Sequence, residues 1–256
     1  MKISIIMQSY LADYPGSRTE PESKFLRAVY SVISQTARNW ELVIISDGCT
    51  ITESLYKKYF SDYSNIIFER LDRHAGSFMQ KDDASVKYRI PGSPWGRGVE
   101  LSTGDWITYF GSDDFLLRGA ISTLSSSIEL LEKKNPDIRY IINKNRIEHI
   151  SWDVSNIDQY EKMGDAFKIN GLPSIWQNVK SSNSITLSNS MLLHKRGFPE
   201  TLWSDDGDYK VPRDTLFFAK IIQNNEQHKY TAKIHNPFYV RCHTRPGDVT
   251  SNGWDY

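Results

Sequence analysis

The sequence predicts an α/β fold, a mostly parallel β-sheet flanked by helices. Three observations carry that expectation. Residues 2–7 (KISIIM) and 41–46 (ELVIIS) are nearly continuous apolar runs, the pattern of strands buried on both faces. Between them, Phe25, Leu26, Val29, Val32 and Ile33 recur at helical spacing within residues 22–36. The alternation then continues with a helix near 52–60 and a short strand near 65–69, and such a series buries a parallel sheet beneath its crossover helices.

Further along, residues 71–98 are rich in Gly, Lys, Arg and Asp, contain Pro91 and Pro94, and show no period. A long loop is expected there, and loops of that size are often functional. GVELSTGDWITYF, residues 98–110, reads as a helix stopped at Gly104 followed by a strand. A helix over 121–134 ends before Pro136, and IRYIIN at 138–143 reads as a strand. Beyond about Ile150 the texture changes: residues 151–182 are polar and irregular, SITLSNSMLL (184–193) reads as a strand, and PRDTLFFAKIIQN predicts a helix over about 212–224. No internal repeat or low-complexity segment interrupts the chain.

Bulk properties exclude several classes. The 31 basic and 31 acidic residues cancel, so no global field recruits nucleic acid or an anionic membrane. Cys49 and Cys242 alone make no disulfide framework and suit a reducing compartment. The apolar start MKISIIM is broken by Gln8, Ser9 and Tyr10 before a signal-peptide core is complete. No window approaches the roughly 18 apolar residues of a membrane helix. The expectation is a soluble, cytoplasmic protein, with any membrane contact peripheral. Abundant Trp and Tyr suit stacking on sugars or bases, but such residues more often fill an ordinary core.

In an open α/β sheet, ligands gather at the carboxyl ends of the strands. Those ends carry Gln8, Ser9 and Tyr10; then Ser46, Asp47 and Gly48; then Ser112, Asp113 and Asp114 in WITYFGSDDFLL. Parallel strands bring such ends together, so acids collect along one edge. Paired carboxylates there suit a hard divalent cation, Mg²⁺ or Mn²⁺, bridging to a phosphate-bearing substrate. A purely structural alternative has Asp113 and Asp114 forming a turn and capping the next helix. Asp214 follows Pro212 at a predicted helix start, where it serves either as a cap or as a general base. His243 and Arg245 offer a metal ligand and a phosphate partner, against the ordinary reading of a structural or exposed histidine. WGRGVE, around Arg97, is either a flexible turn or a phosphate contact. No P-loop, GxGxxG, GxSxG, HExxH or CxxC motif is present, which leaves the P-loop, Rossmann-cofactor, hydrolase, zincin and zinc-ribbon readings without local support.

The order of these features resembles the family 2 glycosyltransferases, nucleotide-sugar enzymes of GT-A fold. The likeness runs through KISIIMQSY, FLRAVYSVISQTARNWELVIISDGCT and GRGVELSTGDWITYFGSDDFL, most of residues 2–134. It implies a single GT-A domain over 1–256, with a nucleotide-sugar-binding half to about residue 115 and an acceptor and catalytic-base half beyond. It implies sugar transfer from a nucleoside diphosphate sugar, UDP-linked, to an acceptor hydroxyl of a glycan or other molecule, with inversion and with Mn²⁺ or Mg²⁺. It places Gln8, Ser9 and Tyr10 in the loop that holds the nucleotide base and Asp47 at the uracil or ribose. Asp114 matches the direct metal ligand of the DXD motif, Asp113 lies nearer the ribose, and Arg97 matches a basic residue preceding the helix before that motif. Asp214 matches the base. Three positions depart from the pattern: the usual acidic pair after the second strand is Ser46 and Asp47, the DXD motif is two adjacent acids, and the late segment reads RD. A nucleotidyltransferase, a transferase acting on a modified nucleic-acid base and a catalytically inactive sugar-binding protein remain the alternatives.

Overall fold

A computed structural model of the chain describes residues 1–12, 20–72, 94–144, 146–149, 190–197, 231–234 and 239–243. Strands β1 (Ile3–Ser9), β2 (Trp40–Ser46), β3 (Ile66–Arg70) and β4 (Trp106–Gly111) alternate with helices α1 (Pro21–Ile33), α2 (Thr50–Tyr59) and α3 (Pro94–Leu101). After them come β5 (Phe115–Leu116), α4 (Ala120–Lys134), β6 (Tyr140–Lys144), β7 (Arg146–His149), β8 (Ser190–Lys195), β9 (Thr231–Ile234) and β10 (Tyr239–His243).

The described strands form a seven-stranded sheet in the order β3-β2-β1-β4-β8-β6-β9 and a three-stranded sheet in the order β5-β10-β7. Strands β1 to β4 pair in parallel, as the apolar runs predict. The large sheet is nevertheless mixed, because β8 runs antiparallel to both of its neighbours, β4 and β6.

Side chains alternate across a strand, so each strand of this sheet feeds two cores. On one face Ile5, Met7, Leu42 and Ile44 pack with Phe25, Val29 and Val32 of α1. On the other, Ile6, Val43, Ile45, Ile107 and Tyr109 meet Trp95, Val99 and Leu101 of α3. The chain steps outward from β1 to β2 to β3 and then returns across β1 to lay down β4. Right-handed crossovers therefore require α1 and α3 on opposite faces. The strand order reverses at β1, which makes its junction with β4 the topological switch point.

Helix α3 begins at Pro94, so the stretch expected as loop through residue 98 is already helical there. Proline is compatible with the first turn of a helix. Gly98 has a tertiary reason, since a Cβ there would overlap Ile6 Cγ2 and lie 3.5 Å from Ile45 Cγ1. Strand β6 starts at Tyr140 rather than at 138, because the Ile138 N–H closes a turn onto Asn135 O at 3.1 Å. The described part of the strand expected over 184–193 is β8, which runs on to Lys195. The irregular stretch expected at 151–182 and the helix expected at 212–224 lie outside the described residues.

At the amino edge of the sheet one buried acid ties three segments together. Glu41, 2% exposed, accepts bonds from Lys2 Nζ (2.5 Å), Ser4 Oγ (2.6 Å), Thr103 Oγ1 (2.7 Å), Gly104 N (3.1 Å) and Thr103 N. Burial alone would push its carboxyl up, but the bonds from Lys2, Ser4 and Thr103 outweigh burial and bring it from 4.5 down to about 2. A carboxyl held low in the folded state stabilises above its unfolded value, and that contribution is lost as pH falls through the folded one. Glu41→Gln should therefore cost about 1–3 kcal/mol at neutral pH. In urea titrations its deficit against wild type should shrink as pH falls from 4.5 toward 2. A deficit independent of pH would contradict this role.

Candidate active site

The register of the parallel strands sets the site. Gln8 of β1 pairs with Ile45 of β2 on one side and with Gly111 of β4 on the other, and Ser9 pairs with Ser46. The three strands therefore end level, and the residues that follow them, Tyr10, Asp47 and Ser112 to Asp114, share one edge. With about 4.8 Å between strands, β2 and β4 stand roughly 10 Å apart across β1. The edge thus carries acids on both sides of the switch point, with Tyr10 between them.

The predicted residues that fall within the described part of the chain have definite places. Strand β1 extends through Ser9, so Gln8 and Ser9 are strand residues and not loop residues as expected. Ser9 is buried, and its hydroxyl bonds Thr52 Oγ1 at 3.1 Å. Tyr10 is the first residue beyond the strand and is partly exposed. Asp47 is 1% exposed, and its N–H donates to Ser9 O at 2.9 Å, extending the ladder by one bond.

Arg97 lies within α3 instead of preceding a helix. Its Nε and one terminal nitrogen donate to the two Glu69 oxygens at 2.8 and 2.9 Å, and its other terminal nitrogen donates to Glu100 at 2.7 Å. These bonds raise its pKa further. The structure therefore sets Arg97 in an ion-pair network with β3 and does not bring it onto Asp113 or Asp114.

Asp113 and Asp114 form the turn after β4, and β5 follows at once. The capping alternative fails, because α4 starts only at Ala120 with Gly119 as its N-cap residue. Asp114 is 3% exposed. A Cβ on Gly111 would collide with Asp114 Oδ2 and crowd Asp113 Oδ1 at 3.1 Å, so both carboxylates fold back over the same glycine. Strand β10 pairs antiparallel with β5, Val240 opposite Phe115, which carries the backbone after Val240 back toward Asp114. His243 ends that strand. Asp214 and Arg245, like the His243 side chain, lie outside the described residues.

No protein-family model matches the chain. An uncharacterized glycosyltransferase of Rickettsia bellii (strain RML369-C) is 22% identical over 182 residues, which are 71% of this chain and 23% of that protein. Among solved structures, S. aureus TarS 1-349 in complex with UDP-GlcNAc aligns with a TM-score of 0.60 at 17% identity, covering 100% of this chain and 62% of the other. The same protein in complex with UDP gives 0.56 at 16% identity, covering 95% and 61%. The fold is of GT-A type. This chain spans under a quarter of the Rickettsia relative and about three fifths of TarS 1-349.

Within that GT-A framework the Ser46 departure has a local reason. The Ser46 hydroxyl donates to Cys49 O at 2.8 Å and accepts from Cys49 N at 3.2 Å, closing the turn that launches α2. A carboxylate has no proton to donate there. The donor set at Gly111 also fits a divalent cation. Mg²⁺ and Mn²⁺ use one or two carboxylates and complete their shell with water and substrate phosphates, and two carboxylates over a side-chain-free turn meet that need. Among the described residues no third His, Cys, Asp or Glu joins them.

Helix α1 also reaches the site, through residues that no motif marks. Arg27, Ser31 and Gln35 lie four residues apart, so successive turns of α1 and its C-terminal extension carry them toward one segment. Arg27 donates to Asp113 O and stands 5.4 Å from the centroid of the Phe115 ring. Ser31 Oγ accepts Leu116 N at 3.0 Å. Gln35 donates to Leu117 O at 2.9 Å and accepts Ile121 N at 3.1 Å. The row lies on the face of α1 opposite the apolar stripe of Phe25, Val29 and Val32, so in the sequence it has the look of an ordinary solvent-facing side.

Gly111→Ala should lower stability by about 1–3 kcal/mol through overpacking against Asp114. In an Asp114→Ala background the same substitution should cost about 1 kcal/mol less, because the closer clashing oxygen is gone and only Asp113 Oδ1 still crowds the position. Urea unfolding of the four proteins measures the coupling, and equal costs in both backgrounds would place the Asp114 carboxylate elsewhere.

Proposed function

We propose that this chain is a glycosyltransferase that moves a sugar from a UDP-linked donor to an acceptor hydroxyl. The observation that carries the reading is the level edge of β2, β1 and β4, with Asp47 on one side of the switch point and Asp113 and Asp114 on the other. A solved neighbour of the same fold carries UDP-GlcNAc in one structure and UDP in another, which supports a UDP-sugar as the donor.

In this reading Tyr10 and Asp47 receive the nucleoside, Asp47 as a hydrogen-bond acceptor for uracil or ribose, and Asp113 lies nearer the ribose. Asp114, with Asp113 beside it, would hold Mn²⁺ or Mg²⁺, which when bound supplies positive charge against the diphosphate. Asp214 is the proposed base. The acceptor oxygen bonds to the anomeric carbon as the bond from that carbon to the diphosphate oxygen breaks. UDP leaves with the electron pair, and the acceptor proton passes to the Asp214 carboxylate. Attack from the face opposite the diphosphate inverts the anomeric centre. A glycan hydroxyl is the simplest acceptor, and the balanced charge of the chain gives a nucleic acid no general attraction.

UDP release from a panel of UDP-sugars, measured with Mn²⁺ and with a chelator, tests the proposal. Asp114→Ala should remove the metal-dependent turnover, a loss of about a hundredfold or more, while thermal unfolding stays cooperative. An unchanged rate in that variant would sink the metal assignment. Asp214→Asn should keep UDP binding within about twofold by calorimetry and lose transfer. Normal transfer by Asp214→Asn would move the base to another residue.

A further inference from the structure

We infer that the polar row of α1 is a positioning device for the Asp113–Asp114 turn, and that Arg27 is the member of the row that sets the carboxylates. The inference rests on the donor-site reading above and assigns it residues that touch neither sugar nor nucleotide.

The row has one target. Arg27 reaches the Asp113 carbonyl, Ser31 the Leu116 amide, and Gln35 the Leu117 carbonyl and the Ile121 amide. These four bonds run in the same order as the chain they hold, from the carboxylate turn through β5 to the first turn of α4. Gln35 is 1% exposed and Arg27 is 6% exposed. Helix α1 is itself fixed to the sheet by its apolar residues, with Phe25, Ala28, Val29 and Val32 fully buried. The row therefore transfers the rigidity of the sheet core to a two-residue strand that has little of its own.

Arg27 acts at the most consequential point. Its bond goes to the backbone of Asp113, one peptide before Asp114, and its guanidinium lies against Phe115, one residue after. The turn is held from both sides by a single planar cation. Losing it frees the turn to rotate, and two carboxylates that no longer converge over Gly111 hold a cation less well. Nucleoside recognition at Tyr10 and Asp47, across β1, does not depend on that bond.

The test separates these two parts of the site. UDP affinity of the full 256-residue chain is measured by calorimetry in Mn²⁺ and in EDTA, for wild type, Arg27→Met, Arg27→Lys and Ser31→Ala, each with its ligand-free melting temperature. For wild type, Mn²⁺ should tighten UDP binding about tenfold or more. In Arg27→Met that metal-dependent gain should fall to about twofold while the EDTA affinity stays put. Arg27→Lys, which keeps a cation beside Phe115 but loses the planar fork, should fall between them. Ser31→Ala should move in the same direction with a smaller change, and it decides the matter if Arg27→Met does not fold. Full metal-dependent gain in the variants would overturn the inference and leave the donor site standing. So would parallel loss of affinity in Mn²⁺ and EDTA, the mark of a general structural defect. Wild type that binds UDP without any gain from Mn²⁺ also overturns it. Wild type that binds no UDP in either condition overturns the donor-site reading and the inference together.

Discussion

Strand β1 is hydrogen-bonded on both sides, to β2 from Ile3 to Ser9 and to β4 from Ile3 to Gln8, and every other placement at the carboxyl edge follows from those two ladders. A parallel ladder fixes neighbours residue by residue, and a slip of one position would turn each strand's core residues to the wrong face. Because Ile5 and Met7 face α1 while Ile6 faces α3, slippage would disrupt two cores at once. The same constraint that buries the strands also brings Asp47 and the Asp113–Asp114 turn to one level. Stability and the alignment of the site have one physical origin.

The two edges of the sheet are built differently. At the amino edge Glu41 is surrounded by five donors and joins β1, β2 and the turn before β4, an arrangement suited to holding strands in place. At the carboxyl edge the acids gather on turns: the Asp47 turn is held by Ser9 and Ser46 of the sheet, and the Asp113–Asp114 turn is reached from outside it, by Arg27 of α1. This division suits a protein whose binding groups must be held precisely while the strand ends stay approachable.

What the sequence revealed and what it hid divide along the reach of the interactions. Apolar runs such as ISIIM and LVII identify buried strands because burial on both faces leaves no polar position within them, and the edge acids then follow from the general behaviour of parallel sheets. Only the first turn of α3 was concealed, because Pro94, Gly96 and Gly98 resemble loop residues, whereas Gly98 serves close packing against Ile6, a contact some 90 residues away. The double aspartate resembles a helix cap locally, and only the pairing of β5 with β10 shows why a strand intervenes. Arg27 sits in an amphipathic helix where a long cation ordinarily lays its stem over the core and sends its head to water. That it turns inward to Asp113 is a tertiary fact with no local signature. Asp214, matched to the base by family resemblance, and Arg245, read as a phosphate partner from its residue type, lie outside the described residues.

In the proposed function a nucleoside diphosphate sits across the carboxyl ends of β2, β1 and β4. Hydrogen–deuterium exchange of the chain with and without UDP and Mn²⁺ tests it most directly, since bound ligand slows amide opening where it stabilises structure. Slowed exchange is expected at residues 9–12, 47–49 and 111–116, with no change at the opposite edge, where Thr103, Asp105, Arg139 and Arg196 line a cavity of about 440 Å³. Protection at that cavity, with the three strand ends unaffected, would contradict the account.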